Sequence, residues 1–435
     1  MSYDFFSHYL QYASNNEVPA FFHRWSAITG LGAFLGRDIY FQHGHFEVNP
    51  NIYCMLMGSP GTRKSTSIKI IKHILKLAGY TTLAAEKTSK EKFLLDLSGV
   101  EDEERNSKDI LQANIFGKDD ESRICECFVV ADEFNNFVGI GNIEFISILG
   151  SLWDYSGVYE NKIKTGKSVS IPNPTVSILA CNTPTGFSMA FPPEIIGQGF
   201  FSRILLVYGE PSEKLIAFPK PPLVEDTLEL VSSLQRIKYS CKGGLGLTDS
   251  SEKLLDKIYK SWKGIPDVRF ESYSNRRFTH LLKLCIIHTA ARGGIKIDEA
   301  DVIYANTVLT HTEHLMPKAL GEFGKAKNSD VSHKIMQIID SSRTPISIKD
   351  IWKHVANDLE KLSDLSDLIR NLVSAEKIQV TKIGFLPIKK VLEEVSDGTV
   401  DFTLLTDEER RYRLWVKHLL RYLARHLTIN HFLNW

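Results

Sequence analysis

Four short runs of nearly continuous apolar residues punctuate the chain, at 51–57, 127–131, 175–181 and 204–208. Each is too short for a helix and lacks polar/apolar alternation, so each is read as a strand buried on both faces. Strands of that kind belong to a parallel sheet covered by helices. Helical stretches do separate them here, which points to an α/β fold class. With 435 residues, 43% of them hydrophobic, the chain is long enough for about three domains and a large core.

The first run ends in a phosphate-loop pattern. Gly58-Ser59-Pro60-Gly61-Thr62-Arg63-Lys64-Ser65-Thr66 lies between the strand at 51–57 and a helix at 64–77 whose Ile68, Ile71 and Leu75 share one face. A loop so placed turns backbone N–H groups and a helix N-terminus toward anionic phosphates. Lys64 is expected to reach the β- and γ-phosphates of a nucleotide, and Ser65 to ligate Mg2+. Arg63 stands where a glycine normally precedes the lysine.

The second run delivers Asp132 and Glu133 at its C-terminal end, the edge where open α/β sheets bind ligands. Asp132 is expected to hold the Mg2+ through water and Glu133 to polarise the attacking water. The third run ends in Asn182-Thr183-Pro184, and an amide there can donate to the γ-phosphate or hold the lytic water. Just before the fourth run comes Gly199-Phe200-Phe201-Ser202-Arg203. Arg203 is expected to supply positive charge to the transition state at a neighbouring subunit's nucleotide.

This ordered series resembles the AAA+ ATPase core of the minichromosome-maintenance (MCM) helicases, and related helicases of phages and mobile elements, over roughly residues 46–320. The resemblance implies an AAA+ P-loop NTPase core with a helical lid, ATP and Mg2+ as cofactors, and a homo-oligomeric ring, expected to be a hexamer. It places DNA, single-stranded or forked, in the central channel. A hairpin read at about 159–171 would project into that channel, with Lys162, Lys164 and Lys167 as its DNA-contacting residues. The resemblance also implies a lid arginine that senses the nucleotide in cis or from the next subunit. Arg276, five, six and eight residues before Leu281, Leu282 and Leu284, takes that position, and Arg277 is the alternative. The residues before 46 are too few for the oligonucleotide-binding N-terminal domain of those helicases, and no zinc cluster or primase motif is seen. Double-hexamer loading and primase activity are therefore not expected.

The remaining chain divides as follows. Residues 1–45 form a helical lead segment, 46–240 the core, and 241–325 the lid, all helix beyond about 245, with Asp298 as the N-cap of its last helix. Residues 330–395 read as three helices and a strand pair at 378–388, with Gly384 near its turn, which makes a winged helix-turn-helix. Residues 396–435 end in an amphipathic helical tail through Leu414, Trp415, Leu419, Tyr422 and Leu423. On the last helix of the winged unit, Asp364 and Asp367 accompany Arg370 and Asn371, and carboxylates oppose phosphate binding. That unit is read as binding either DNA or protein; it and the tail are the expected contacts for replication partners.

Fifty-two Lys and Arg against fifty-two Asp and Glu exclude a generally basic coat. Acid is concentrated at 101–126, with nine acidic and four basic residues, which reads as a surface excursion. Six scattered cysteines fit a reducing compartment. The start carries no secretory pattern, and the longest apolar stretch, 281–291, is broken by Lys283 and His288. No membrane contact and a cytoplasmic location are expected. Together these readings predict an ATP-dependent DNA helicase or translocase of phage or mobile-element replication. The alternatives are an ATP-switched, DNA-binding initiator or helicase loader, and a protein-remodelling AAA+ ATPase of defence or regulation.

Overall fold

The computed structural model describes residues 4–99, 125–162, 168–197, 199–321, 323, 331, 334–336, 338–339, 345–356, 358–359, 361–374, 378–381, 384–387 and 398–410. Residues 101–124 of the expected excursion, Lys164, Lys167 and the tail beyond 410 lie outside them, while Cys125 and Glu126, the end of that expected excursion, instead open the strand Cys125–Ala131. The chain forms two compact units, residues 1–321 with 397–435, and residues 322–396.

After a helix at Phe5–Tyr12, capped by Asp4, comes the helix Ala20–Leu35, buried at fifteen of its sixteen positions. Buried all round, the helix lies inside the protein, its one charged side chain, Arg24, paired there with Glu409. The helix packs on the central sheet and on the helix Lys64–Leu77. Its Trp25 is fully buried with Nε1 donating to Thr312 Oγ1 at 3.0 Å. Each buried side chain of this size contributes roughly 1.5–3 kcal/mol.

Beyond it run β1 (Ile39–His43), β2 (Phe46–Val48), β3 (Tyr53–Met57), β4 (Cys125–Ala131), β5 (Val158–Lys162), β6 (Ser168–Pro172), β7 (Pro174–Asn182), β8 (Ile204–Tyr208), β9 (Gly243–Leu247) and β10 (Lys296–Ile297). The central sheet has the order β4-β7-β3-β8 and is parallel throughout. Leu83 adds a parallel bridge beside Phe128 of β4. The four apolar runs are these four strands, and β3 and β7 are buried at every position, as a doubly covered parallel sheet requires.

A second sheet, β10-β9-β1-β2, departs from the sequence expectation. β1, from the segment read as helical, lies parallel to β9 and antiparallel to β2, and β9 in turn pairs with β10. The stretch beyond 245, read as all helix, therefore contributes strands as well as the helices Asp249–Ser261, Arg277–Ala291 and Glu299–Leu320. β9 reads Gly-Gly-Leu-Gly-Leu and β10 has two residues, so neither carries a local strand signal. β9 is created by pairing with β1 some two hundred residues away, and β10 by pairing with β9 across about fifty. As the sequence predicts, Asp298 caps the helix Glu299–Leu320, in a reciprocal capping box with Asp301.

In the unit 322–396, Val331, Ile335, Ile351, Val355, Leu365, Ile369 and Ile378 form a core beneath the helices Ile348–Val355 and Leu362–Ser374 and the antiparallel pair β11 (Ile378–Val380) and β12 (Phe385–Pro387). Gly384 is fixed there by close approach. With φ at 158°, a Cβ would fall 2.4 Å from the Ile346 carbonyl oxygen. From 397 the chain belongs again to the first unit, where Arg24 binds Glu409 through two hydrogen bonds of 2.6 and 2.8 Å.

Candidate functional site: the loop at 58–63 and the carboxyl edge of the sheet

From Met57 the chain turns through residues 58–63 into the helix Lys64–Leu77. Gly58 has no room for a side chain, since a Cβ would lie 2.6 Å from the Gly209 carbonyl oxygen. Arg63 adopts φ 59° and ψ 23°, the left-handed conformation that glycine takes freely and other residues take at a cost of roughly 1–2 kcal/mol. Its guanidinium donates to Glu17 Oε2 at 2.9 and 3.3 Å.

Lys64 is 9% exposed, and its Nζ donates to Gly58 O (2.8 Å), Ser59 O (2.9 Å) and Thr62 Oγ1 (3.0 Å). Burial lowers its pKa from the usual lysine value. Ser65 is half-buried in the first helical turn and Thr66 is exposed. No side chain caps this helix, so its N-terminus is open to an anion.

Strand register brings the other motifs to the same edge. Met57 pairs with Asn182, and Ala131 pairs with Ala180, so Asp132 follows β4 level with Cys181. The Cys181 thiol is pushed up to about 12, by burial first, with Asp132 raising it and Lys64 and Lys69 lowering it. Asp132 is paired with Lys69 at 3.0 Å, and Glu133 Oε2 accepts from Asn136 Nδ2 at 2.8 Å. Asn182 is 7% exposed; its Nδ2 donates to Asn135 Oδ1 and its Oδ1 accepts from Thr183 N, both at 2.9 Å. Lys64, Asp132, Glu133 and Asn182 thus share one edge.

Arg203 stands at the other edge. Ile204 pairs with Tyr53 and Tyr208 with Met57, so Arg203 lies one strand length from the loop, roughly 13 Å along β3. Its Nη1 donates to Gly199 O at 2.5 Å, while its buried Nε has no hydrogen-bond partner among the described residues. Burial lowers its pKa, and the nearby Arg276 lowers it further.

Arg276, half-buried, sits at the N-cap of the helix Arg277–Ala291. Neither Arg203 nor Arg276 forms an ion pair with a carboxylate among the described residues, although Asp154 lies near enough to Arg203 to oppose the lowering of its pKa. Arg277 is different in every respect. It is 3% exposed, bound to Glu313 at 2.7 Å and Asn306 at 2.8 Å, with its guanidinium 4.0 Å from the centre of the Trp262 ring.

The hairpin pairs β5 with β6, Lys162 opposite Ser168. Its root is anchored by Arg37, which donates to Thr175 Oγ1 and the Tyr155 carbonyl, and by the fully buried Lys283, 3.0 Å from Asp154. Lys283, which interrupts the apolar stretch 281–291 in the sequence, also binds Asn49 O and Asn51 Oδ1.

Sequence reasoning missed Glu17, Asn135 and Lys69. Asn135 follows Asp132-Glu133-Phe134 directly and could have been sought there, whereas Glu17 is forty-six residues from its partner and carries no local signal. Among the described residues, no group of three or more His, Cys, Asp or Glu could hold a metal ion, and no helix is long and apolar enough to cross a membrane. No protein-family model and no curated protein matches the chain.

Proposed function

We propose that the protein is an AAA+ ATPase that assembles head to tail into a ring and drives DNA unwinding or translocation in phage or mobile-element replication. One observation carries the proposal. Lys64, Asp132, Glu133 and Asn182 meet at the carboxyl edge of the sheet, while Arg203 and Arg276, which form no ion pair with a carboxylate among the described residues, stand at the opposite edge. A guanidinium so far from its own phosphate loop serves a nucleotide held by a second copy, and a head-to-tail contact that closes is a ring.

In this scheme the loop N–H groups and Lys64 bind the β- and γ-phosphates of ATP. The oxygen donors Ser65 and Asp132 suit Mg2+, which takes few protein ligands and completes its shell with phosphate and water. Glu133 accepts a proton from the attacking water. Asn182, held by Asn135, orients that water or the γ-phosphate. Arg203 and Arg276 of the next copy stabilise the charge that develops during transfer.

The hairpin supports the DNA part of the proposal. Lys162 ends β5, and Lys164 and Lys167 follow in sequence, outside the described residues. Copies converging in a ring would give a neutral chain a positive channel for a nucleic-acid backbone. The unit 322–396, with helices packed beside a two-stranded wing, supports the winged-helix assignment. Its exposed Arg370 is paired in cis with Asp367 at 3.0 Å, which favours a protein contact there over phosphate.

The test is ATP turnover with and without single-stranded DNA, followed by unwinding of a forked duplex. DNA-stimulated turnover with unwinding is expected. Turnover indifferent to DNA, and unchanged when Lys162, Lys164 and Lys167 become Ala, would reject the helicase assignment and leave a protein-remodelling ATPase.

A further inference from the structure

Arg63 breaks the phosphate-loop pattern at a position whose backbone is left-handed, and its side chain ends on Glu17. The same carboxylate has a second contact. Its Oε1 accepts the Ile216 backbone N–H at 3.0 Å, from the segment that follows β8. Three pieces of chain far apart in sequence, the turn between the first two helices, the phosphate loop and the segment after β8, therefore meet on one carboxylate. The loop approaches that third segment closely at Gly58 too, beside the Gly209 carbonyl.

From this geometry we infer that Glu17 is a positioning residue, a latch that holds the phosphate loop in its binding conformation by pairing with Arg63 while gripping the Ile216 backbone. A glycine in the consensus position adopts φ near +60° without restraint, and equally leaves it without restraint. Arginine reaches that conformation only at a cost, and the bond to Glu17 offsets part of it. The latch makes the loop's shape depend on a group outside the loop, so anything that moves the 210–222 segment acts on the nucleotide site. The Ile216 N–H first, then Arg63, holds the Glu17 carboxyl below the usual carboxylate range. Arg63 is more than half exposed, so the pair is modest in strength. The inference rests on the phosphate-loop assignment only for its effect on ligand affinity.

Two measurements on the full chain separate the latch from that assignment. In the protein without nucleotide, hydrogen exchange at the Ile216 amide and at loop amides 61–63 should quicken in Glu17→Ala. In Glu17→Gln, which keeps an acceptor for Ile216 but loses the charge facing Arg63, only the loop amides should quicken. A fluorescent ATP analogue should then bind Glu17→Ala about three- to fivefold more weakly than wild type, with turnover at saturation unchanged within twofold. In an Arg63→Gly background the same Glu17→Ala change should alter affinity less than twofold.

Unchanged exchange in Glu17→Ala overturns the latch, and so does an equal loss of affinity in both backgrounds, which would mean that Glu17 acts by another route. If the wild-type protein does not bind the analogue at all, the phosphate-loop assignment falls, and the exchange experiment still decides the latch.

Discussion

Arg276 and Arg277 are neighbours in sequence with opposite fates. Arg277 is buried against Glu313, Asn306 and the Trp262 ring, while Arg276 stands beside Arg203. Position in the chain could not separate them, because a helix turns about 100° per residue and the direction of the core is a tertiary fact. Arg277→Ala leaves the Glu313 carboxylate buried and uncompensated and should cost about 3–5 kcal/mol in denaturant unfolding, whereas Arg276→Ala should leave stability nearly unchanged. At the sheet edge, Glu133→Gln should bind ATP normally and lower turnover by roughly 10²–10⁴-fold in a phosphate-release assay, because the amide keeps the shape and loses the base. Lys64→Ala should abolish binding. Arg203→Ala should bind ATP with turnover reduced by about 10³-fold, and mixing it with Lys64→Ala subunits should restore part of the activity. Absence of rescue in a proven mixed ring would show that Arg203 does not serve a neighbour's nucleotide.

Among elements, the four central strands are legible because double burial writes itself into sequence as unbroken apolar runs. β9 and β10 are not, because a glycine-rich or two-residue strand exists only by its partner's hydrogen bonds. The junction of the helices Arg277–Ala291 and Glu299–Leu320 turns on Asp301, which accepts from Arg292 at 2.6 and 2.7 Å, His288 at 2.7 Å and Thr289 at 2.8 Å. Burial alone would raise its pKa, but the bonds to Arg292 and His288 outweigh it and hold the carboxyl well below the usual range. A depressed carboxylate stabilises the fold fully above its unfolded pKa, near 4, and the contribution fades as pH falls toward the folded value. Thermal midpoints should therefore drop below about pH 4 in the wild type and less steeply in Asp301→Asn, which starts lower. In the smaller unit, Gly384→Ala drives a methyl group into the Ile346 carbonyl and should destabilise by about 1–3 kcal/mol, read as a shift of that unit's own unfolding transition.

For the whole molecule, the segment after 397 rejoins the first unit and closes on Arg24. Glu409 is buried, and burial would raise its pKa, yet Arg24 holds it below the usual range. Asn306 donates to Thr399 O at 2.8 Å, and Asp401 N donates to Thr307 Oγ1 at 2.9 Å. Glu409→Ala should cost about 3–5 kcal/mol, because it leaves Arg24 charged in the interior, and limited proteolysis near 398–405 should then become faster. Sequence alone determined the parallel sheet, the strand-to-helix turn that carries Lys64, and the placing of Asp132, Glu133 and Asn182 at strand ends, since double burial and a strand-to-helix turn impose residue patterns that are local. Only the tertiary structure decided which strands lie side by side, that Arg203 stands at the edge away from Lys64, that Arg276 rather than Arg277 accompanies it, and that Glu17 grips Arg63. Each of these depends on contacts between residues dozens to hundreds of positions apart. Their chemistry appears only once the core has fixed the register of the strands and the direction in which each helix faces.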